Sequence, residues 1–386
     1  MKILIVLTYY RPHISGLTIY AERLAQAFSA RGHAVTVLTS QFESQLPLEE
    51  LDQGVRIVRV PVLFRLSKGV VMPKFGAIAN RLVAQTDVIQ LHLPQFDAAG
   101  IAFRGRILRK PTVITYHCDL HLPPGFLNRI ANLGIMMMNQ LTALFTHRIV
   151  TYTLDYAEHS PYLRKSIRKL KIIPPPVILP SVTQTEIKAF ARLNNPKDHR
   201  PVIGMAARFA TEKGVEILLK ALPRILEIYP EAQVEFVGPF QNIIGEEKYF
   251  ERLEPIIQQY QARGNWKFLG SLNPHDMAAF FSNLDVLVLP SLNSTEAFGL
   301  VQIEAMIKGI PCVVSSLPGV RQPVITHQMG TIFEIGDDLG LAEAVLDIVK
   351  QGKSRFSHES DFSIYSPDRV AQAYENLFSE ISKTIR

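Results

Sequence analysis

At 386 residues and 43.4 kDa the chain exceeds what one ordinary hydrophobic core supports, so two domains are expected. With 47% hydrophobic and 20% charged residues it reads as a packed globular protein, which excludes the disordered class. The 41 Lys and Arg against 35 Asp and Glu leave a net charge of +6, suited to an anionic small molecule, an anionic membrane surface or nucleic acid. Nucleic acid is disfavoured, because no reader module and no ladder of aromatic and basic residues is present. The two cysteines, Cys118 and Cys312, are far apart in the chain. They argue against a disulfide framework or a cysteine zinc site and fit a reducing compartment.

The N-terminal apolar run Ile3 to Leu7 is short and leads into Tyr9-Tyr10-Arg11-Pro12 with no small-residue cleavage site. It predicts a first strand and not a signal peptide. A helix over Thr18 to Arg31 follows, then strands at Ala34 to Thr39, Val55 to Val60, Val88 to Leu91, Thr112 to Tyr116, His147 to Tyr152 and Leu170 to Ile173. Apolar strands alternating with helices predict a parallel, doubly wound sheet. Within this half, Phe126 to Phe145 includes Met136-Met137-Met138 and carries few charges. Its first reading is a core-facing helix with methionine filling gaps; its second is contact with lipid or a lipid acceptor. Two basic groups, Arg104, Arg106, Arg109, Lys110 and Arg164, Lys165, Arg168, Lys169, Lys171, suit anionic head groups or ordinary solvated faces.

Pro174-Pro175-Pro176-Val177-Ile178-Leu179-Pro180 reads as a linker, since proline fixes φ and offers no backbone donor. The pattern then restarts: strands at Val202 to Ala206, Gln233 to Val237, Trp266 to Leu269, Val286 to Leu289, Pro311 to Ser315 and Gly330 to Phe333. Helices are expected near Gly214 to Ile228, Tyr249 to Arg263, Asp276 to Ser282, Leu300 to Lys308 and Asp338 to Val349. Two Rossmann-like halves joined by a hinge is the economical architecture. No apolar stretch is long enough to span a bilayer, so a cytoplasmic protein, free or peripheral to the inner face of a membrane, is expected.

The most informative stretch is Glu296-Ala297-Phe298-Gly299-Leu300-Val301-Gln302-Ile303-Glu304-Ala305, after the strand that ends in Pro290-Ser291. A strand, a polar turn and a helix N-terminus form an anion site, because the first-turn N–H groups around Phe298, Gly299 and Leu300 lack intrahelical partners. Carboxylates on either side can accept hydrogen bonds from neutral hydroxyls of a sugar or ribose. Upstream, Arg208 and Lys213 flank a turn ending at Gly214 and bring two cations to the start of a helix, where an anionic group would meet them. Alone they would read as a solvated surface pair.

The spacing E-x7-E between Glu296 and Glu304, with Phe298-Gly299 inside it, resembles the signature of the retaining GT4 glycosyltransferases of GT-B fold. Four segments agree in order and type: Ser15-Gly16, Tyr116-His117-Cys118-Asp119, Arg208-Phe209-Ala210-Thr211-Glu212-Lys213-Gly214, and Phe236-Val237-Gly238. The resemblance implies two Rossmann-like doubly wound domains facing across a cleft that closes over the substrate. Residues 1–176 would bind the acceptor and 177–365 the nucleotide sugar, with a helix in 366–386 crossing back to the first domain. It implies catalytic roles for His117, Arg208, Lys213 and Glu296. His117 would bond a sugar hydroxyl and stabilise charge at the anomeric carbon, and Glu296 would face the sugar. Donor contacts would come from Gly16 at the distal phosphate, from Phe298, Gly299 and Leu300, from Glu304 at the ribose, and from backbone near Gly238 and Leu269 at the base. Many relatives carry two glycines where this chain has Ser15-Gly16.

No Asp-x-Asp follows a strand, and Asp337-Asp338 reads as a helix N-cap, so no metal is expected. The one ligand-like cluster, His117-Cys118-Asp119-Leu120-His121, is better explained by the resemblance. No G-x-G-x-x-G occurs, which argues against a nicotinamide cofactor, and no cofactor is expected beyond a UDP- or GDP-sugar donor. No carboxylate nucleophile announces itself, so acceptor attack from the face of the departing diphosphate, with retention, is expected. The acceptor would be a glycan, a lipid or a small molecule, met near Val60 to Gly69 and Leu122 to Ile135, with weak contact to an anionic membrane. The competing readings are a nucleotide-sugar epimerase or hydrolase of this architecture and a non-catalytic nucleotide-sugar-binding subunit. A pyridoxal-dependent phosphorylase would need a lysine motif that is not evident.

Overall fold

The structure is a computed structural model that describes residues 1–66, 69–120, 126–243, 245–356 and 360–385. The chain divides into two compact units, Met1–Val177 with Ser363–Arg386, and Ile178–Phe362.

The first unit contains β1 (Lys2–Val6), α1 (Gly16–Ala30), β2 (Ala34–Gln41), β3 (Glu49–Asp52), β4 (Val55–Pro61), β5 (Phe64–Leu66), β6 (Gly69–Val71) and α2 (Phe75–Gln85). It continues with β7 (Val88–Leu93), α3 (Ala98–Ile107), β8 (Thr112–Tyr116), α4 (Phe126–Phe145), β9 (Arg148–Thr151), α5 (Leu154–His159) and β10 (Leu170–Ile172). Eight strands form one sheet in the order β10-β9-β8-β7-β1-β2-β4-β3, and β5 pairs separately with β6. Pairing is parallel throughout the large sheet except for β3, which runs antiparallel to β4. The sequence pattern does not announce β3: Glu49-Glu50-Leu51-Asp52 is a charged edge strand, where polarity blunts unwanted pairing and no buried face imposes alternation.

The second unit contains α6 (Gln184–Asn194), β11 (Val202–Ala206), α7 (Val215–Ile228), β12 (Gln233–Val237), α8 (Glu247–Arg263), β13 (Trp266–Gly270) and α9 (Pro274–Asn283). After these come β14 (Val286–Leu289), α10 (Leu300–Ile307), β15 (Cys312–Ser315), α11 (Gln322–His327), β16 (Gly330–Phe333) and α12 (Asp338–Gln351). Six parallel strands are ordered β13-β12-β11-β14-β15-β16. Alternation along β11 assigns its two faces. Ile203 and Met205 join a core with Leu218, Leu222, Leu341 and Val345 of α7 and α12, whereas a Cβ at Gly204 would collide with Leu284 and Phe280 on the other side.

The final helix, α13 (Pro367–Ile385), belongs to the first unit. Its buried residues Val370, Ala371, Tyr374, Leu377, Phe378 and Ile381 recur at helical spacing and meet Tyr20 and Phe28 of α1. Each large apolar side chain buried here contributes about 1.5–3 kcal/mol. The ion pairs of Arg31 with Asp368 and Glu375 lie at the solvent-screened rim, so apolar packing holds the helix.

One expectation fails in α4. Met136 and Met137 are 43% and 59% exposed, so they do not fill gaps in a core. The inward face uses Asn139, Thr142 and Ala143 instead. Neither cysteine takes part in a disulfide. Among the described residues no helix is long and apolar enough to cross a membrane.

Candidate active site

In the second unit the chain proceeds outward from β11 through β12 to β13, then returns to the far side of β11 with β14 and proceeds to β16. The loops leaving the C-terminal ends of β11 and β14 therefore diverge, and such a switch point is where open α/β sheets leave a crevice. Arg208 and Lys213 lie on the loop after β11; Glu296, Phe298 and Gly299 lie on the loop after β14. The two loops are stitched together by Leu292 N–H donating to Glu212 O at 2.9 Å. Gly214 makes the approach possible: at φ 69° a Cβ there would lie 2.0 Å from Pro290 O.

Lys213 Nζ donates to Glu296 Oε2 at 2.5 Å, and Gly299 N–H donates to Glu296 Oε1 at 3.0 Å. One carboxylate thus joins the cation to the tip of α10. Arg208 is ion-paired with Glu212, its own side chain 39% exposed. Gly238 stands beside Arg208, since a Cβ on it would fall 2.1 Å from Ala207 O, and its N–H donates to Gly270 O at 2.8 Å. That bond brings the end of β13, with half-buried Leu269, to the same edge. Leu300 opens α10, and Glu304 lies one turn along it on the buried side.

The structure therefore gathers Lys213, Glu296, Phe298, Gly299 and Leu300 around one helix tip, with Arg208, Gly238 and Leu269 on the adjoining strand ends. Two members escaped sequence reasoning. Glu212 neutralises Arg208. Gln302, fully buried, donates through Nε2 to Phe298 O at 2.8 Å and Val320 O at 3.0 Å, fixing the turn before α10. The available signal was an amide side chain in an otherwise apolar stretch, four residues after Phe298.

His117 and Gly16 belong to the first unit. Gly16 is the first residue of α1 and not part of the loop before it. Ser15 is the N-cap, forming a capping box with Thr18 in which side chains and backbone N–H groups bond reciprocally. The serine that departs from the two-glycine pattern thus closes the helix start.

His117 directly follows β8, within a polar layer on one face of the sheet. Gln90 and His92 on β7, and Thr115 and His117 beside them, alternate onto the same side. His92 Nδ1 and His117 Nε2 are 2.8 Å apart, and His117 Nδ1 meets the Tyr152 hydroxyl, so both His117 nitrogens are engaged. Gln90 Nε2 donates to Thr115 Oγ1 at 3.0 Å, which meets Tyr374 Oη at 2.7 Å, itself 2.8 Å from Tyr20 Oη. Burial depresses the basicity of both imidazoles: His92 falls to about 3, and His117 lies well below its ordinary value, lowered further by His92. Two neutral rings share one proton across their contact.

Asp119 is held beside the strand end, accepting from Tyr116 Oη and Ser160 Oγ at 2.8 Å each. His121 of the ligand-like cluster lies outside the described residues, as do 122–125 and 67–68 of the two expected acceptor segments. Among the described residues no group of three or more His, Cys, Asp or Glu is arranged to hold a metal ion. Asp337 caps α12, accepting from Gly340 N–H at 2.9 Å.

Comparison with known proteins accords with this geometry. The family described as "Glycosyl transferases group 1" matches residues 186–361, and "Glycosyltransferase Family 4" matches residues 14–179. An uncharacterized glycosyltransferase of Methanocaldococcus jannaschii is 28% identical over 349 residues, covering 86% of this chain and 85% of that protein. A phosphatidyl-myo-inositol mannosyltransferase of Mycobacterium leprae is 23% identical over 409 residues, covering 99% of each. The structure of Anabaena HepE in complex with UDP-glucose superposes with a TM-score of 0.72 at 19% identity, covering 100% of this chain and 98% of that one.

Two parallel Rossmann-like sheets, with a cationic turn beside a helix tip at the switch point of the second, define a glycosyltransferase of GT-B fold. The chain belongs to the GT4-type family of these enzymes, whose two profiles together span both units.

Proposed function

We propose that this glycosyltransferase moves a hexosyl group from a UDP- or GDP-sugar to a glycan, lipid or small-molecule acceptor, with retained anomeric configuration and without a metal ion. One observation carries the reading: Lys213 Nζ, the Glu296 carboxylate and the Gly299 N–H are joined at the tip of α10, with Arg208 on the loop that approaches it. The bond from the anomeric carbon to the diphosphate oxygen breaks, and negative charge grows on the leaving group. Lys213, Arg208 and the first amides of α10, at Phe298 to Leu300, stabilise that charge. The departing oxygen takes the acceptor's proton as the acceptor attacks from the same face. Glu212 and Glu296 are both committed to ion pairs, which argues against either as the nucleophile of a double displacement.

In this reading residues 177–365 bind the donor, with Glu296 at the sugar hydroxyls, Glu304 at the ribose and the backbone at Gly238 and Leu269 at the base. Residues 1–176 bind the acceptor. Gly16 contributes an amide to the distal phosphate, and neutral His117 serves the transferred sugar by exchanging one of its present hydrogen bonds. The UDP-glucose held by HepE and the mannosyl transfer named for the mycobacterial relative support a nucleotide-sugar donor. We place the enzyme in the cytoplasm, in weak contact with an anionic membrane.

A thermal-shift panel of nucleoside diphosphate sugars in the presence of EDTA tests the donor, and NMR of product made from an α-linked donor tests the stereochemistry. Stabilisation by a donor and a retained anomer are expected. No shift with any donor, loss of activity on chelation, or an inverted product would overturn the reading.

A further inference from the structure

We infer that the outward faces of α3 and α4 dock the first unit onto an anionic lipid surface. This deepens the membrane contact proposed above and stands apart from the donor site.

In α4 the residues Leu133, Met136, Met137, Leu141 and Leu144 recur at spacings of three and four and are each between 41% and 64% exposed. They form one stripe along the helix. The opposite side, which packs inward, carries Asn139 and Thr142, so the polarity of the helix is reversed relative to a core-facing one. On α3, Phe103 and Ile107 are exposed at 47% and 62%, and Phe103 packs edge-on against Phe145 with ring centroids 5.1 Å apart. The two helices thus present one continuous apolar surface. Such a surface on a water-exposed face marks an interaction site.

Charge selects the occupant. Between Ala98 and Leu154 the chain has six Lys or Arg and a single acid, Asp119, which is buried. This stretch holds nearly all of the net +6. Arg106, Arg109 and Lys110 stand at the end of α3 and just beyond it. Near Arg106, Lys169 Nζ donates to Ala143 O at 2.7 Å and Thr146 O at 2.8 Å, tying Arg164, Lys165 and Arg168 to the C-terminal end of α4. Arg106, Arg109, Lys110, Arg164, Lys165 and Arg168 form no ion pair among the described residues. Apolar side chains bordered at one end by cations without ion pairs match acyl chains topped by anionic head groups. A second copy of this chain would set like charges against each other, which disfavours self-association.

The test is co-sedimentation of the full chain with phosphatidylcholine vesicles, with and without phosphatidylglycerol. Binding is expected only with phosphatidylglycerol and is released by salt. Both Met137→Glu/Leu144→Glu and Arg106→Glu/Arg109→Glu should weaken it by at least about tenfold, each exposed pair leaving thermal stability and nucleotide-induced shifts unchanged. Equal binding to neutral vesicles, no binding to either, or wild-type binding by both variants would overturn the proposal. A dimer in light scattering that Met137→Glu/Leu144→Glu dissociates would overturn it in favour of a second copy.

Discussion

The two sheets handle polar groups near their functional edges in opposite ways. In the first unit His92, His117, Thr115 and Tyr374 are buried, with His92 hydrogen-bonded to His117 and Thr115 to Tyr374. In the second unit Arg208, Lys213, Glu212 and Glu296 are joined as ion pairs, Arg208 39% exposed and the other three 13–17%. Burial without charge gives rigidity, because each ring is fixed by its neighbours; ion pairing keeps cations charged on a loop, where an anionic ligand can compete for them.

The largest expected effect breaks the second arrangement. Arg208→Ala with Lys213→Ala should lower transfer by at least about 10³-fold, far beyond the modest fall in unfolding midpoint expected when the largely buried Glu296 keeps the Gly299 N–H but loses its cation. Initial-rate assays beside urea unfolding followed by Trp266 fluorescence would check both halves. Trp266 is the only tryptophan and is buried in the second unit.

A second test concerns Glu235 on β12, where burial raises the carboxyl to about 7 against the attraction of Lys267 and Arg200. A raised acid binds a proton in the folded state that the unfolded state has released, so stability falls as pH rises from 4.5 to 7. Glu235→Gln should therefore stabilise the second unit by about 3 kcal/mol at pH 8 and by about 1 kcal/mol at pH 5. An equal gain at both pH values would contradict the assignment.

The smallest effect has the opposite sign and belongs to the first unit. His92, depressed to about 3 by burial, withholds a proton that the unfolded chain takes up below 6.5. Acidification from pH 6.5 to 5 should therefore cost the first unit about 2 kcal/mol, seen as lost amide-exchange protection in Ile89 to Leu93 after correction for intrinsic rates. Protection that holds steady over that range would remove the contrast between the units.

How much of this was legible in the sequence depended on which interactions fix each element. Strands buried on both faces, such as Val202–Ala206, Gln233–Val237 and Val286–Leu289, are largely apolar runs between turn residues and coincide with their expected spans. α3 was missed because Gly100 and Gly105 interrupt it, and Gly105 is needed where a Cβ would fall 2.4 Å from Thr112 Oγ1. The loops carrying Arg208, Lys213 and Glu296 could be placed after their strands, but the pairing across 83 residues that joins Lys213 to Glu296 is tertiary. His92 likewise acquires meaning only once β7 lies beside β8, because nothing local ties it to a histidine 25 residues later. The exposed methionines of α4 were misread because composition shows an apolar helix without showing which side meets the core.

The contact between Tyr20 and Tyr374 spans 354 positions and has a consequence for biosynthesis. The second unit is an insertion, entered once near Val177 and left once near Phe362, so the opening and closing stretches of the polypeptide complete a common body. A nascent chain emerging from the ribosome can finish the inserted body first, while its earliest-made portion waits for the last helix to arrive.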